Sequence, residues 1–582
     1  MDATPTPHAQ AAAWTAALAR ALQLGDAEAA AALFHPDGHW RDILALTWTL
    51  TNAAGRPAIR DALAAALPES HAVGLRLAPG RTPPRDVTRA GRRVVEAILA
   101  FETAAGTCAA VARLLPDPAA PTGLVAWTLV TTLEELHGHP EPSHARRSGD
   151  PDYSRDFGGQ NWMDKRDRAA SFDDRDPAVL VVGGGQAGLG IAARLKALGV
   201  DTLVIDRESR IGDNWRRRYH ALTLHNEVHV NHLPYMPFPP TFPVFIPKDK
   251  LANFFEAYVD ALDLPFWTAT ELTGGSYDES DHRWTVTLSR NGTPRTLRPR
   301  HLVFATGVSA IPVMPNIPGQ QGFRGPILHS DAYTEGHAWR GKRALVLGTG
   351  NSGHDVAQDL RGAGAHVTMI QRSPTYVVSL REAQAVYSIY TEGLPIEDCD
   401  LLAIAMPMPV LTDAYRLATA ASERADAALL DGLQGVGFRL EQSDGTGFQM
   451  MYLRRGGGYY FNVGCSDLII NGGIGLLQYD TIDRMVPEGV RLKDGTTLPA
   501  DLLVAATGYL NQQDMVRHLL GDAVADRIGP VWGFDEGGEL ANMWKRTPQP
   551  GLWFTAGSLA QCRIWSRYLA LQIKATEMGL IA

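Results

Sequence analysis

Ala178-Val179-Leu180-Val181-Val182 runs straight into Gly183-Gly184-Gly185-Gln186-Ala187-Gly188, and apolar residues then return at Ile191, Leu195 and Leu198. This stretch decides the fold. Five apolar residues in a row predict a strand buried on both faces, as in parallel sheets covered by helices. The glycine pattern GxGxxG allows a tight turn at Gly183, close approach of a pyrophosphate at Gly185, and close helix–strand packing at Gly188. The helix that follows presents its unpaired N–H groups to the phosphates. The next strand, Leu203-Val204-Ile205, ends in Asp206 and Arg207. A carboxylate at that point is placed to accept from an adenosine ribose hydroxyl. Strand, loop, helix and acid together predict a dinucleotide site, where a glycine loop alone is a weak signal.

The pattern repeats downstream. Ala344-Leu345-Val346-Leu347 enters Gly348-Thr349-Gly350-Asn351-Ser352-Gly353, and the following strand, His366-Val367-Thr368-Met369-Ile370, ends in Gln371-Arg372. A guanidinium there suits a 2′-phosphate that an acid would repel, so this loop is read as an NADPH site, with NADH as the alternative. Two dinucleotide sites in one chain point to hydride chemistry between a nicotinamide and a flavin. The Asp206 site is assigned FAD and the Arg372 site NADPH.

Working outward, 582 residues at roughly 100–200 per domain imply several domains. The expected fold class is α/β, with two Rossmann-type dinucleotide-binding domains preceded by a small α+β cone-like domain. The expected divisions are 1–138 for the α+β domain, 139–176 for a linker, and 177–337 for the first part of the FAD domain. The NADPH domain with substrate-pocket insertions takes 338–495, and the second part of the FAD domain 496–582. Within the first domain, 11–33 and 56–67 read as helices, followed by antiparallel strands at 93–101, 108–115 and 124–133. Trp162 and Phe172 are expected to dock parts of the linker.

Apolar residues make up 45% and charged residues 20%, which excludes a disordered or fibrous chain. A net charge of −9 with no run of Lys and Arg argues against nucleic-acid binding. Four cysteines without a CxxC pair disfavour a zinc ribbon, a disulfide scaffold and a CxxC redox enzyme, and suit a reducing cytoplasm. Met1-Asp2-Ala3-Thr4-Pro5 carries no basic region before an apolar core, so no secretory leader is expected. The apolar stretch 401–411 is interrupted by Pro407 and Pro409 and is far short of the ~20 residues of a spanning helix. It is read as a buried segment, with the lining of an apolar pocket as the alternative. A cytoplasmic protein with no membrane span and a small-molecule substrate is expected.

Between the two loops, Phe323-Arg324-Gly325-Pro326-Ile327-Leu328-His329-Ser330-Asp331-Ala332-Tyr333 matches FxGxxxHxxxY. With Ala305-Thr306-Gly307, Pro312, Pro315, Gly319, the Gly348 loop and Ala506-Thr507-Gly508-Tyr509, it makes residues 180–560 resemble the class B flavin-containing monooxygenases. The spelling is especially similar to the plant indole-pyruvate monooxygenase branch. Gly212-Asp213-Asn214-Trp215 is similar to the family's GGxW element and departs from it at Asp213. Phe34-His35-Pro36-Asp37-Gly38-His39-Trp40, Gly55-Arg56 and Ile59 resemble SnoaL-like (nuclear-transport-factor-like) domains. An N-terminal extension of this kind is similar to the family's type II group.

The resemblance implies FAD, NADPH and O2, with a C4a-(hydro)peroxyflavin that oxygenates nitrogen or sulfur of a small organic substrate. Its alternatives are Baeyer–Villiger oxidation of ketones and oxidative decarboxylation of an arylpyruvate. From another class comes an NADPH–flavin oxidase or reductase. Tyr333-Thr334 stands where most Baeyer–Villiger members carry Trp, often with Pro. The implied cofactor-binding residues are Gly183, Gly185, Gln186, Ala187, Gly188, Asp206, Arg207, Trp215, Ala305, Thr306 and Gly307 with Gly557 on the flavin side. On the nicotinamide side they are Gly348, Gly350, Asn351, Ser352, Gly353, Arg372, Ala506, Thr507 and Gly508. Asn226 is the implied catalytic residue, its amide donating to the flavin-bound oxygen or to NADP⁺. His225 and His229 are read as structural, and His329 and Tyr333 as domain-junction residues. His35, Asp37, His39 and Asp42 form no assembled constellation. The first domain is then a lid, a packing surface or an oligomerisation element, the last making a homodimer. Arg563 and Ser566 read as flavin-side or plain surface residues, and 455–460 as a mobile loop.

Overall fold

The computed structural model describes residues 6–147, 149, 156–309, 311–442 and 444–581, so residues 1–5, read above for a leader, lie outside it. Val179–Val182 is wholly buried, as its unbroken apolar run predicts. It is the middle of a parallel five-stranded sheet ordered Phe266–Trp267, Thr202–Ile205, Val179–Val182, His301–Phe304, Leu552–Phe554. Helix Gln186–Ala197 follows the glycine loop and packs against the C-terminal helix Leu559–Glu577. Ser558 and Gln561 start that last helix with a reciprocal capping box.

A second parallel sheet runs Ile327–His329, Leu502–Ala505, Arg343–Leu347, His366–Gln371, Gly475–Gln478. It takes strands from both sides of the divisions expected at 337/338 and 495/496. The FxGxxxHxxxY strand pairs with Leu502–Ala505, which sits inside the sheet. Two small antiparallel sheets, Thr270–Asp278 to Thr293–Leu297 and Ile482–Val486 to Thr497–Pro499, flank the parallel ones.

The N-terminal unit differs from its sequence reading in four places, one of them two strands between the expected second helix and the strand at 93–101, Val73–Leu77 and Arg85–Arg89, that the sequence did not disclose. The single helix expected over 11–33 is two, Pro7–Gln23 and Ala27–Ala32, because Gly25 takes a positive φ and Asp26 caps the second. Two strands that the sequence did not disclose, Phe34–Ile43 and Leu50–Ala54, precede the helix Arg56–Ser70. Phe34–Ile43 then runs parallel to Leu124–Leu136, so the seven-stranded sheet is mixed, not purely antiparallel.

Within 139–176, Trp162–Ser171 is a helix, started by a capping box of Asn161 and Asp164. Phe172 is buried edge-on to Trp267, whereas Trp162 stays exposed. One continuous apolar core joins the N-terminal unit, the first parallel sheet and the C-terminal helix. Among the described residues no single helix is long and apolar enough to cross a membrane.

Candidate active site

The two glycine loops are built alike. Gly183 and Gly348 both sit at positive φ, 108° and 114°, after strands whose partners send a carbonyl back to them: Ile205 to Gly183 and Ile370 to Gly348. A Cβ at Gly183 would stand 2.7 Å from the carbonyl oxygen of Ala305, and one at Gly348 would collide with that of Ala506. The two ATG segments thus close against the two loops, which only glycine permits. Gly188 and Gly353 are blocked the same way by the carbonyls of Gly183 and Gly348. Both following helices begin on a glycine, Gly185 or Gly350, with no side-chain cap, so their first N–H groups stay free for an anion.

Asp206 accepts from the N–H of Gly184 at 2.7 Å and of Glu208 at 2.8 Å, fixing its carboxylate at the loop. Trp215 donates to Gln186 at 3.2 Å, and Gln186 donates to the carbonyl of Gly557 at 3.1 Å. That chain ties the GDNW element to the first loop and to the start of the C-terminal helix. Thr507 donates to the carbonyl of Val313 at 2.5 Å, and Val313 N–H to that of Gly508, so the two hinges meet.

A cavity of about 1300 Å³ opens from this arrangement. It is bordered by Gly183, Gly185, Gln186, Ala187, Asp206, Arg207, Trp215, Ala305, Thr306, Gly307 and Gly557, and by Asn226. Gly188 lies behind the loop, packed on the strand. The second set (Gly348, Gly350, Asn351, Ser352, Gly353, Arg372, Ala506, Thr507, Gly508) does not border it. Strand Tyr459–Asn462 crosses in front, with Phe461 N–H donating to the Asn351 side chain at 2.9 Å. Arg372 is exposed at the end of its strand. These residues suit an FAD in the first loop, with glycines where its pyrophosphate needs room, an uncapped helix start and a carboxylate at the ribose position. The second loop keeps the same features, apart from the acid.

Gln449 donates to the hydroxyl of Tyr387 at 3.4 Å, and the side chain of Asn226 lies beside the same hydroxyl on the cavity wall. Gln384 pins the loop, donating to the carbonyl of His225 at 2.9 Å and accepting from Glu227 N–H at 3.3 Å. His225 borders the cavity and its side chain is accessible there; desolvation by the surrounding protein lowers its imidazole to about 4, so it is neutral near pH 7. His329 accepts from Asp331 N–H at 3.1 Å and bonds the carbonyl of Gly508 at 3.1 Å, which leaves neither nitrogen for proton transfer. Tyr333 donates to Asp359 at 2.6 Å. Both tie the fingerprint strand to the second unit. Tyr219 donates to Asp355, whose carboxyl burial raises to about 6.

The far end of the cavity is aromatic and aliphatic. Its walls include Tyr387, Tyr415, Phe448, Tyr452, Phe461 and Trp565; the first five fall within the substrate-pocket insertions expected in 338–495, though the sequence singled out none of them individually. Ala403, Ile404, Met406, Met408 and Leu411 also border it, so the apolar stretch 401–411 lines the pocket, contrary to the preferred reading of a plain buried segment. It forms parts of two helices, Ile396–Ile404 and Met408–Ala425, bent by 104°. The glycine-rich 455–460 is not a bare loop: Gly456 ends a helix, and Tyr459 begins a strand paired with Tyr376–Ser379. Arg563 is buried, forked onto Asp400 and donating to the carbonyls of Val230 and His232, so it is not a surface residue; Ser566 is buried too.

In the N-terminal unit, Asp42 is buried and accepts from Leu46, Thr47 and Thr131, a structural role. The unit's own interior is nearly filled: about 20 Å³ remains between residues such as Leu18, Trp40, Leu63 and Phe101.

Comparison with known proteins agrees with this geometry. The profile of the pyridine nucleotide-disulphide oxidoreductase family matches residues 180–391. All four cysteines of this chain are nevertheless free and buried. Indole-3-pyruvate monooxygenase YUCCA1 of Oryza sativa subsp. japonica is 32% identical over 335 residues, covering 57% of this chain and 77% of that protein. The probable indole-3-pyruvate monooxygenase YUCCA4 of Arabidopsis thaliana is 30% identical over 335 residues, covering 57% and 75%. A crystal structure of cyclohexanone monooxygenase with bound ε-caprolactone shares the fold, at a TM-score of 0.51 and 18% identity over 69% of this chain and 88% of that one. FAD, NADPH and O2 are the reactants that this kinship brings. With its paired glycine loops, fingerprint strand and plant relatives, the chain belongs to the class B flavin-containing monooxygenases.

Proposed function

We propose that this monooxygenase oxygenates nitrogen or sulfur of a small, largely apolar substrate at the expense of NADPH. The observation that carries the reading is the single cavity running from the first glycine loop to an aromatic end. FAD, when bound, supplies the redox chemistry, taking two electrons from NADPH and passing them to dioxygen. One oxygen atom goes to the substrate, the other leaves as water, and NADPH with one proton becomes NADP⁺.

The chain's own residues do the rest. The first loop, Asp206 and the Trp215–Gln186–Gly557 chain hold the dinucleotide and fix its flavin end. The second loop and Arg372 take NADPH. Asn226 and Tyr387 present hydrogen-bonding groups at the cavity wall, and the apolar far end excludes water from the reacting atoms. His225, neutral near pH 7, adds no charge there. We read the N-terminal unit as SnoaL-like and assign it the packing role, because its own interior is nearly filled. The relatives' names favour a second reading, oxidative decarboxylation of an arylpyruvate.

The test is turnover under ¹⁸O2 with an aryl sulfide and with an arylpyruvate. Sulfoxide carrying one ¹⁸O per NADPH supports the first reading. Release of CO2 with an arylacetate carrying one ¹⁸O in its carboxylate supports the second. NADPH oxidation with only hydrogen peroxide overturns both.

A further inference from the structure

The N-terminal unit reaches into the cavity. Arg41, on strand Phe34–Ile43, borders it together with Leu50. Its guanidinium forks onto Glu539, with Nε–Oε1 at 2.7 Å and Nη2–Oε2 at 2.6 Å. The third arm, Nη1, donates to the carbonyl of Ile404 at 2.9 Å, at the end of the helix lining the pocket. Asn52 of the same unit donates to Glu539 at 2.8 Å. The guanidinium also lies 5.4 Å over the ring of Trp565, which stacks on Trp544. Both partners are more than nine-tenths buried, with side-chain exposures of 9% and 8%.

Every other acidic, lysine or arginine side chain bordering the cavity comes from residues 206–331, at the dinucleotide end. At the aromatic end Arg41 and Glu539 are the only such pair among the described residues, and each is satisfied by the other. A fork–fork pair is a strong, directional arrangement. Opening it leaves a buried charge without its counter-charge, which is costly. A substrate carboxylate would have to displace Glu539 from Arg41 and leave that buried carboxylate with the neutral Asn52 amide in place of its counter-charge. An uncharged aromatic or aliphatic molecule meets no such demand.

We propose that the Arg41–Glu539 pair is a specificity-determining gate against anions, supplied jointly by the N-terminal unit and the flavin unit, and that the substrate is neutral. The proposal rests on the monooxygenase reading above and sharpens its substrate class. In particular it sets the neutral sulfide, amine or ketone apart from the arylpyruvate.

The test uses purified holoenzyme, NADPH and air, with thioanisole and (phenylthio)acetate as probes that share the arylthio group and differ in the carboxylate. Anaerobic reduction of the flavin by NADPH is measured first, and its failure would count against the monooxygenase reading, not against the gate. Wild-type kcat/KM for thioanisole should exceed that for (phenylthio)acetate by about 100-fold or more, since an uncompensated charge in such a place costs several powers of e in binding. In Glu539→Gln, Arg41 is freed for a carboxylate, and KM for (phenylthio)acetate should fall about 10-fold while that for thioanisole does not. Equal or better wild-type turnover of the acid overturns the proposal, and so does a folded E539Q holoenzyme with an unchanged ratio. Turnover of neither probe by an enzyme whose flavin is reduced counts against it as well. Should E539Q fail to fold, the wild-type ratio decides alone.

Discussion

Gln371 stands in the second sheet where Asp206 stands in the first: each is the residue just past the last rung between the glycine-loop strand and its neighbour. Asp206 holds its carboxylate at the loop, whereas Gln371 is fully buried and spent on Arg439 and Gln478. The second loop therefore has no acid to repel a 2′-phosphate, and Arg372 is left exposed beside it. Arg372→Ala should lower kcat/KM for NADPH by about 10–100-fold, the worth of one or two hydrogen bonds to a charged group, and leave NADH nearly unchanged. Steady-state kinetics with both coenzymes would read this directly.

Gly188 leaves no room for a side chain, because a Cβ would collide with the carbonyl oxygen of Gly183. Gly188→Ala should push the helix off the strand and empty the first site. The ratio of flavin to protein absorbance in the purified variant should fall by about tenfold or more, given that overpacking costs ~1–3 kcal/mol even in forgiving places. A fully flavinated G188A protein would refute the assignment of FAD to this loop.

Asn226 stands on the cavity wall beside the Tyr387 hydroxyl, to which Gln449 donates. Asn226→Ala should leave flavin content intact and raise the share of NADPH that ends as hydrogen peroxide several-fold, in line with ~1 kcal/mol for a hydrogen bond. A peroxidase-coupled assay beside product analysis would measure the split. An unchanged split would confine Asn226 to holding its loop.

Glu96 lies 2% exposed among Arg85, Arg89 and Arg113. Burial works to raise its carboxyl, but hydrogen bonds from Arg89 and the charges of Arg113 and Arg89 outweigh it and hold the group at about 2. The folded value is below the ordinary 4.5, so the stabilisation is fully present above about 4.5 and is lost as pH falls from there toward about 2. Glu96→Gln should cost ~3–5 kcal/mol at neutral pH and flatten that acid limb. Urea denaturation at a series of pH values would show both effects.

The first loop was legible because its meaning is local: a buried run, a glycine pattern and an acid at the next strand's end. The fingerprint strand was equally plain. The far wall of the cavity was not, since Tyr387, Tyr415, Tyr452 and Trp565 come together only through tertiary packing and carry no shared pattern. Arg41 and Glu539 are 498 residues apart, and nothing in either neighbourhood announces the other. Strand Phe34–Ile43 escaped notice because Pro36 and Gly38 interrupt its periodicity. In 401–411 the prolines argued for an interruption, which the bend bears out, but they could not say which side faces a cavity.

Leu502–Ala505 fills the space between Ile327–His329 and Arg343–Leu347, and Leu552–Phe554 then returns to the edge of the first sheet. During synthesis, neither sheet can be completed when its own glycine loop leaves the ribosome. The second must wait for more than a hundred further residues, with the edges of two strands unpaired in the meantime. Chains released before about residue 505 would thus expose unfinished edges in both nucleotide units at once, and chains released between there and about residue 554 in the first alone, the kind of edge that invites pairing with another chain.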